Sequence, residues 1–367
     1  MNEITTNAKN LVAKFALWQR SLKPAEGTST IHVDEVASQI ASFYEHIRTI
    51  IDWKEEHLMR RAAIIRKLKR RFFDLELNNF ATENVAENLV LELIRGGFFP
   101  NDTIAELRIS EVQNVIDKYV FILKHGSENK NRKAGVRFYN KLLEIAACEI
   151  EEILAPSTKE TALLEFMFSE MKDRILVSES IYKRGLLEKE SKNVLIYIAV
   201  QEALFKFDNP IISYNLIRYR YSNWSALSET ELLTISGNMH NILQQIENDI
   251  SHPLARKFYS ICEKYDTPYL LLGDILSKEN PEKMSQEIYD PAILENHIKH
   301  AYAKRLSELK AKIRRAAIYS TTSIFVSKIL VLIILEIVLS RLLQGHLNFT
   351  ALIADILIPT VLMSLLV

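Results

Sequence analysis

Glycine and proline are scarce: nine of each among 367 residues, half of average usage or less. That scarcity excludes a turn-rich β architecture. No GxxxxGK[ST], GxGxxG or GxSxG pattern occurs, so no phosphate-cradling loop or nucleophile elbow is expected. Cysteine is nearly missing as well. Cys148 and Cys262 cannot build a disulfide framework and lack the CxxC spacing of structural zinc, which fits a reducing compartment. Net charge is also lacking, with 46 Lys and Arg against 46 Asp and Glu, and this argues against nucleic acid as a partner. The opening MNEITTNAKN has neither the basic start nor the apolar stretch of a secretory signal. What is present is ordinary for a folded chain: 48% hydrophobic and 25% charged residues.

The charges and the apolar residues are unevenly placed. Lys304 to Arg315 reads KRLSELKAKIRR, with six basic residues (Lys304, Arg305, Lys310, Lys312, Arg314 and Arg315) and one acid. After it come two apolar stretches, Thr321–Leu343 and Leu347–Val367, separated by Gln344, Gly345 and His346. About 20 residues of helix cross a hydrocarbon core of roughly 30 Å, so both stretches predict transmembrane helices, joined as a hairpin over 318–343 and 347–367. The first holds fifteen Leu, Ile, Val or Phe residues, which favour insertion by roughly 5 to 8 kcal/mol in sum. Lys328 and Glu336 oppose this by roughly 5 to 6 kcal/mol near the centre, so the span gains from pairing with its neighbour. The basic block places the N-terminal region in the cytoplasm and the short turn outside. The chain stops in apolar sequence at SLLV, which predicts a truncated second span.

Residues 1 to about 317 carry helical periodicity and no alternating strand pattern, so the expected fold class is all-α: a multi-helix cytoplasmic bundle followed by the hairpin. Ser157–Glu160 and Ser228–Glu231 have the spacing of capping boxes. Breakers at Gly96–Pro100, Gly126–Lys133, Asn209–Pro210 and elsewhere punctuate ten to twelve ordinary helices, with longer ones near 32–77 and 284–317. Asn193–Phe207 is strongly apolar yet too short to cross a bilayer, which predicts a buried core helix. The polar stretch 126–133 suggests a division into an N-terminal bundle, 1–125, and a central helical region, 134–317; one continuous bundle is the competing reading. No repeat of fixed period is present.

Four groups of residues carry candidate functions. On a helical wheel, Arg60, Arg66, Lys67, Arg70 and Arg71 gather opposite Ile64, Ile65, Leu68, Phe72 and Phe73, with Arg61 and Lys69 as exceptions. Such a face is either solvated or faces anionic lipid headgroups. The juxtamembrane block named above is the second group. Lys328, Glu336 and Asp355 are the third: ionisable groups within membrane spans suggest function by default. In an antiparallel hairpin, Lys328 and Asp355 differ in depth by about 7 Å, within reach of an interhelical ion pair. His297 and His300, with Glu295 nearby, are the fourth, at a spacing that metal sites use together with ligands from facing helices. No catalytic motif, cofactor or complete metal set is evident.

The segment Ser323–Leu339, SIFVSKILVLIILEIVL, followed by Ala354–Leu366, ADILIPTVLMSLL, resembles the membrane part of uncharacterised helical proteins of small-genome, candidate-phyla bacteria. The resemblance implies a bacterial inner-membrane setting and a second span that continues beyond Val367; it implies no activity and no site residues. The expected function is a membrane-anchored interaction or scaffold protein with the lipid bilayer and another protein as partners. The alternatives are a transporter or channel component using Lys328, Glu336 and Asp355, and a metal-dependent enzyme in the helical region.

Overall fold

The computed structural model describes residues 5–21, 29–33, 56–77, 85–126, 132–278 and 290–331, with the single positions 283, 287, 358 and 361. For residues 56, 57, 71–77 and 132–134 only the backbone is described. Thirteen helices are described: α1 (Thr6–Ser21), α2 (Glu56–Leu77), α3 (Val85–Arg95), α4 (Leu107–Gly126), α5 (Arg132–Leu154), α6 (Thr158–Arg174), α7 (Glu179–Lys183), α8 (Ser191–Phe205), α9 (Asn209–Arg220), α10 (Glu229–Ile250), α11 (Ala255–Glu263), α12 (Asp266–Lys278) and α13 (Pro291–Val331). A single 3₁₀ turn, Trp224–Ala226, joins α9 to α10. The protein is all-α. Among the described residues the one extended pairing is an isolated antiparallel bridge between Thr30 and Ala105. There Ile31 donates to the Ile104 carbonyl at 2.9 Å, while Asn101 closes both backbone groups of Val33.

Helix ends follow from local chemistry. Gly97 ends α3 with φ 74°, and the bonds Phe98 N–H to Leu93 O and Gly97 N–H to Ile94 O form a Schellman motif that uses the last free carbonyls. At α10 the capping box forms in full: the Ser228 hydroxyl accepts from Glu231 N–H and the Glu231 carboxylate accepts from Ser228 N–H. The equivalent expectation at α6 is corrected. Ser157 makes no capping bond, because its backbone sits at φ −87°, ψ 48°, outside the extended conformation that aims a cap side chain at the next turn. Asp208 caps α9, accepting from Ile211 N–H, with Pro210 in the first turn where its missing N–H costs nothing.

The chain forms two compact units, Met1–Tyr289 and Asp290–Val367. In the first, α8 is the hub of one half: Leu195, Ile196, Ile198, Ala199, Val200, Ala203 and Leu204 are buried where α6, α10, α11 and α12 pack around it. This is the apolar run expected to be a core helix. The other half is built on α5, which packs against α2, α4 and α9. Helices α4 and α5, on either side of the expected linker, pack directly on each other within this unit; the boundary between compact units falls at 289/290. Residues 127–131 lie outside the described residues.

In the second unit, α13 is a continuous helix of 41 residues. It contains the expected basic block and runs into the first apolar stretch as far as Val331. Among the described residues no helix is long and apolar enough to cross a membrane. The remainder of that stretch, 332–343, and all but two positions of the second lie outside the described residues, as do Glu336 and Asp355.

Candidate functional site

The most constrained chemistry lies around α5, whose sequence ACEIEEIL places three carboxylates among apolar neighbours. Helical steps of 100° send Glu149, Glu151 and Glu152 in three directions, and each meets a base on a different element. Glu149 faces α4: Lys118 Nζ lies 2.6 Å from one carboxylate oxygen, while the Tyr119 hydroxyl at 2.9 Å and Trp224 Nε1 at 3.0 Å donate to the other. Glu151 faces α2 and accepts from Arg60 Nε at 3.0 Å. Glu152 faces α9 and takes Arg218 Nη1 at 2.8 Å on both oxygens.

Burial makes the Glu149 cluster costly to disrupt. Glu149 is 3% exposed and Lys118 9%. Desolvation pushes the Lys118 ammonium below its ordinary range, and the Glu149 carboxylate opposes that shift. Burial and the same carboxylate hold the Tyr119 hydroxyl well above its usual range, so it stays a donor. Lys118 also donates to the Trp224 carbonyl at 3.1 Å and sits 4.7 Å above the indole ring. With its ammonium engaged by Glu149 and Trp224, Lys118 acts as an ion-pair partner that pins the 3₁₀ turn. An open cleft of about 720 Å³ lies beside it, walled by Asn114, Asp117 and Phe121 of α4 and by Leu227, Glu229 and Leu233.

A second cluster surrounds Arg61, which is buried at 4% exposure. Its Nη1 and Nη2 form a bidentate pair with Asp208 at 2.9 and 3.0 Å, and Nη1 lies 3.4 Å from Cys148 Sγ. Burial disfavours the guanidinium charge, yet the bidentate Asp208 carboxylate opposes it and the group is held above its ordinary range. Arg61 Nε has no hydrogen-bond acceptor; Glu151 lies 3.8 Å away. Burial raises the Cys148 thiol from 9.0 to about 12, so it is a neutral packing group. Asp208 thus serves α9 as its cap and α2 as its anchor.

The sequence-derived candidates distribute as follows. Of the basic face on α2, Arg60 is engaged by Glu151 and stacks 5.6 Å from the Phe99 ring, and Lys67 pairs with Glu92 at 2.8 Å. Both are inside the bundle's own ion pairs. Arg66 and Arg70 are exposed; the Arg71 side chain lies outside the described residues. On α13, Lys304, Arg305, Lys310, Lys312, Arg314 and Arg315 are all exposed, with Lys304 3.6 Å from Glu308. Lys328 is half-buried on the same helix. His297 and His300 sit one turn apart, but Glu295 pairs with Lys299 at 2.7 Å, and among the described residues no three His, Cys, Asp or Glu side chains converge to hold a metal ion.

Sequence reasoning missed the Lys118, Glu149 and Arg61 clusters. Their signal was legible as charges set within apolar runs, Lys118 in IDKYVFIL, Glu149 in ACEIEEIL and Arg61 beside the apolar AAII; which base meets which acid was not. Comparison with family models, with curated proteins and with solved structures finds no match to this chain.

Proposed function

We propose that this protein is a membrane-anchored helical scaffold or interaction protein of a bacterial inner membrane. The helical unit up to residue 289 stands in the cytoplasm. The two apolar stretches, Thr321–Leu343 and Leu347–Val367, form the hairpin that fixes it in place. One observation carries the reading: α13 passes without a break from an exposed basic block into exposed apolar side chains, among them Phe325, Val326, Leu330 and Val331. Such a transition suits a helix that leaves water and enters hydrocarbon, with its basic residues on the cytoplasmic side. The internal pairing of carboxylates on α5 supports a structural role for the first unit, since its buried charges are spent on holding helices together. Lys328 and Asp355 are assigned to an ion pair between the two spans, which leaves Glu336 as a carboxylate beyond that pair.

Membrane fractionation of full-length protein tests the anchor. The expected result is pelleting with membranes, resistance to alkaline carbonate and release by detergent. Recovery as a monodisperse species without detergent overturns the proposal. Reporter fusions after Arg315 and in the turn Gln344–His346 test orientation, and replacing Lys310, Lys312, Arg314 and Arg315 with Glu should invert or mix it.

A further inference from the structure

Helix α13 carries an apolar seam that fits a coiled coil. Tyr302, Leu306, Leu309, Ile313 and Ala316 are spaced 4, 3, 4 and 3 residues apart, the alternation of d and a positions in a heptad. Tyr302, Leu309 and Ile313 are each more than half exposed, at 54%, 54% and 52%, so the seam is uncovered over two turns and more. The flanking positions decide what can cover it. With Leu306 and Ile313 at a, Arg305 and Lys312 fall at g and Lys310 at e; the acid of this segment, Glu308, lies on the outer face beside Lys304. A second copy in parallel would set Arg305 against Lys310, and an antiparallel copy would also meet base with base. Like charges there oppose pairing.

Lipid headgroups are the other surface a basic amphipathic stretch suits. This alternative is disfavoured by the continuity of α13, an argument that rests on the membrane crossing proposed above. With Thr321 at the bilayer boundary, a straight helix carries the flanking Lys312 about 13 Å, Lys310 about 16 Å and Arg305 about 24 Å from it, leaving Arg314 and Arg315, about 9 to 10 Å out, as the basic residues nearest the headgroups. The attraction of anionic lipid decays within a Debye length of roughly 8 Å.

We infer that residues 302–316 of α13 dock a partner helix that has its own apolar heptad seam and is flanked by acidic e and g positions. The apolar seam supplies affinity, and the basic flanks select the partner's charge.

The test uses full-length protein in neutral detergent and a labelled four-heptad peptide with Ile at a, Leu at d and Glu at e and g, read by fluorescence anisotropy. A peptide identical but for Lys at e and g is the control. The acidic peptide should bind at least tenfold more tightly than the control. The double variant Leu309→Ser, Ile313→Ser should weaken it at least tenfold, and Arg305→Glu, Lys310→Glu, Lys312→Glu together should reverse the preference. All five positions lie on an exposed helix surface, so the fold should be retained. Equal binding of the two peptides, or no response to the seam variant, overturns the inference. So does efficient disulfide dimerisation of Leu309→Cys without peptide, which assigns the seam to a second copy. Loss of peptide binding on moving the protein from phosphatidylcholine to phosphatidylglycerol bilayers assigns the surface to lipid and overturns it too. Failure of the anchor is distinguishable: it appears in membrane fractionation and leaves the peptide preference in detergent intact.

Discussion

Glu149 collects three donors, Lys118, Tyr119 and Trp224, from two elements. Replacing it with Leu leaves a buried ammonium, a hydroxyl and an indole N–H without their acceptor, and should cost about 3 to 5 kcal/mol in urea unfolding. Lys118→Met leaves the buried carboxylate without its counter-charge and the Trp224 carbonyl without its donor, so it should cost a similar amount. Tyr119→Phe, which removes one neutral donor, should cost about 1 kcal/mol; a Tyr119→Phe cost equal to that of Glu149→Leu would argue against Glu149 as the centre of the network. Cys148 and Cys262 give a pH signature. Burial raises both thiols from 9.0 to about 12. The folded state therefore holds these protons more tightly than the unfolded chain does. Their contribution is fully present below pH 9 and is lost as pH rises towards 12, at up to about 1.4 kcal/mol per pH unit for each thiol. Urea midpoints should fall through this window, and the slope should be shallower in a Cys148→Ala, Cys262→Ala variant. An unchanged slope would show that other groups set the alkaline limit.

At the scale of elements, the two serine caps separate pattern from geometry. Ser228 and Ser157 share the same Ser-x-x-Glu spacing, yet the capping box forms only at Ser228. Ser228→Ala should cost about 1 kcal/mol, and Ser157→Ala close to nothing, in chemical denaturation. Comparable losses at both sites would contradict the described cap geometry. The same lesson applies to α2. Its wheel separates basic from apolar residues, but a wheel has no neighbours. Arg60 meets Glu151 and Lys67 meets Glu92 because α5 and α3 lie alongside, while Arg61, off the expected face, becomes the buried anchor of Asp208. Periodicity tells which residues share a side of a helix; it does not tell which side a second helix covers.

For the whole molecule, the division at 289/290 predicts distinct behaviour of the two parts. A fragment of residues 1–289 contains both buried charge clusters and the α8 core, so it should fold with a cooperative transition and stay in the supernatant without detergent. The full chain should need detergent. A fragment that aggregates as the full chain does would count against the division of labour. Asp355→Asn tests the proposed hairpin: lost stability of the proposed pair of spans with no ion flux fits pairing with Lys328, whereas an altered flux with normal assembly favours a transport role.

The sequence by itself determined the all-α class, because glycine and proline are too few for a turn-rich fold and the apolar residues repeat at helical spacing. It determined the stop at Gly97, the start at Ser228 and the buried character of the 193–207 run, since those depend on residues close together in the chain. The abrupt change from basic to apolar composition after Arg315 is equally local. Only the tertiary structure decided that Glu149 closes on Lys118, Tyr119 and Trp224, that Asp208 holds Arg61, and where the compact units divide. Such pairings join residues from 30 to about 150 positions apart, and their stability comes from the water excluded when helices pack, which no local pattern records.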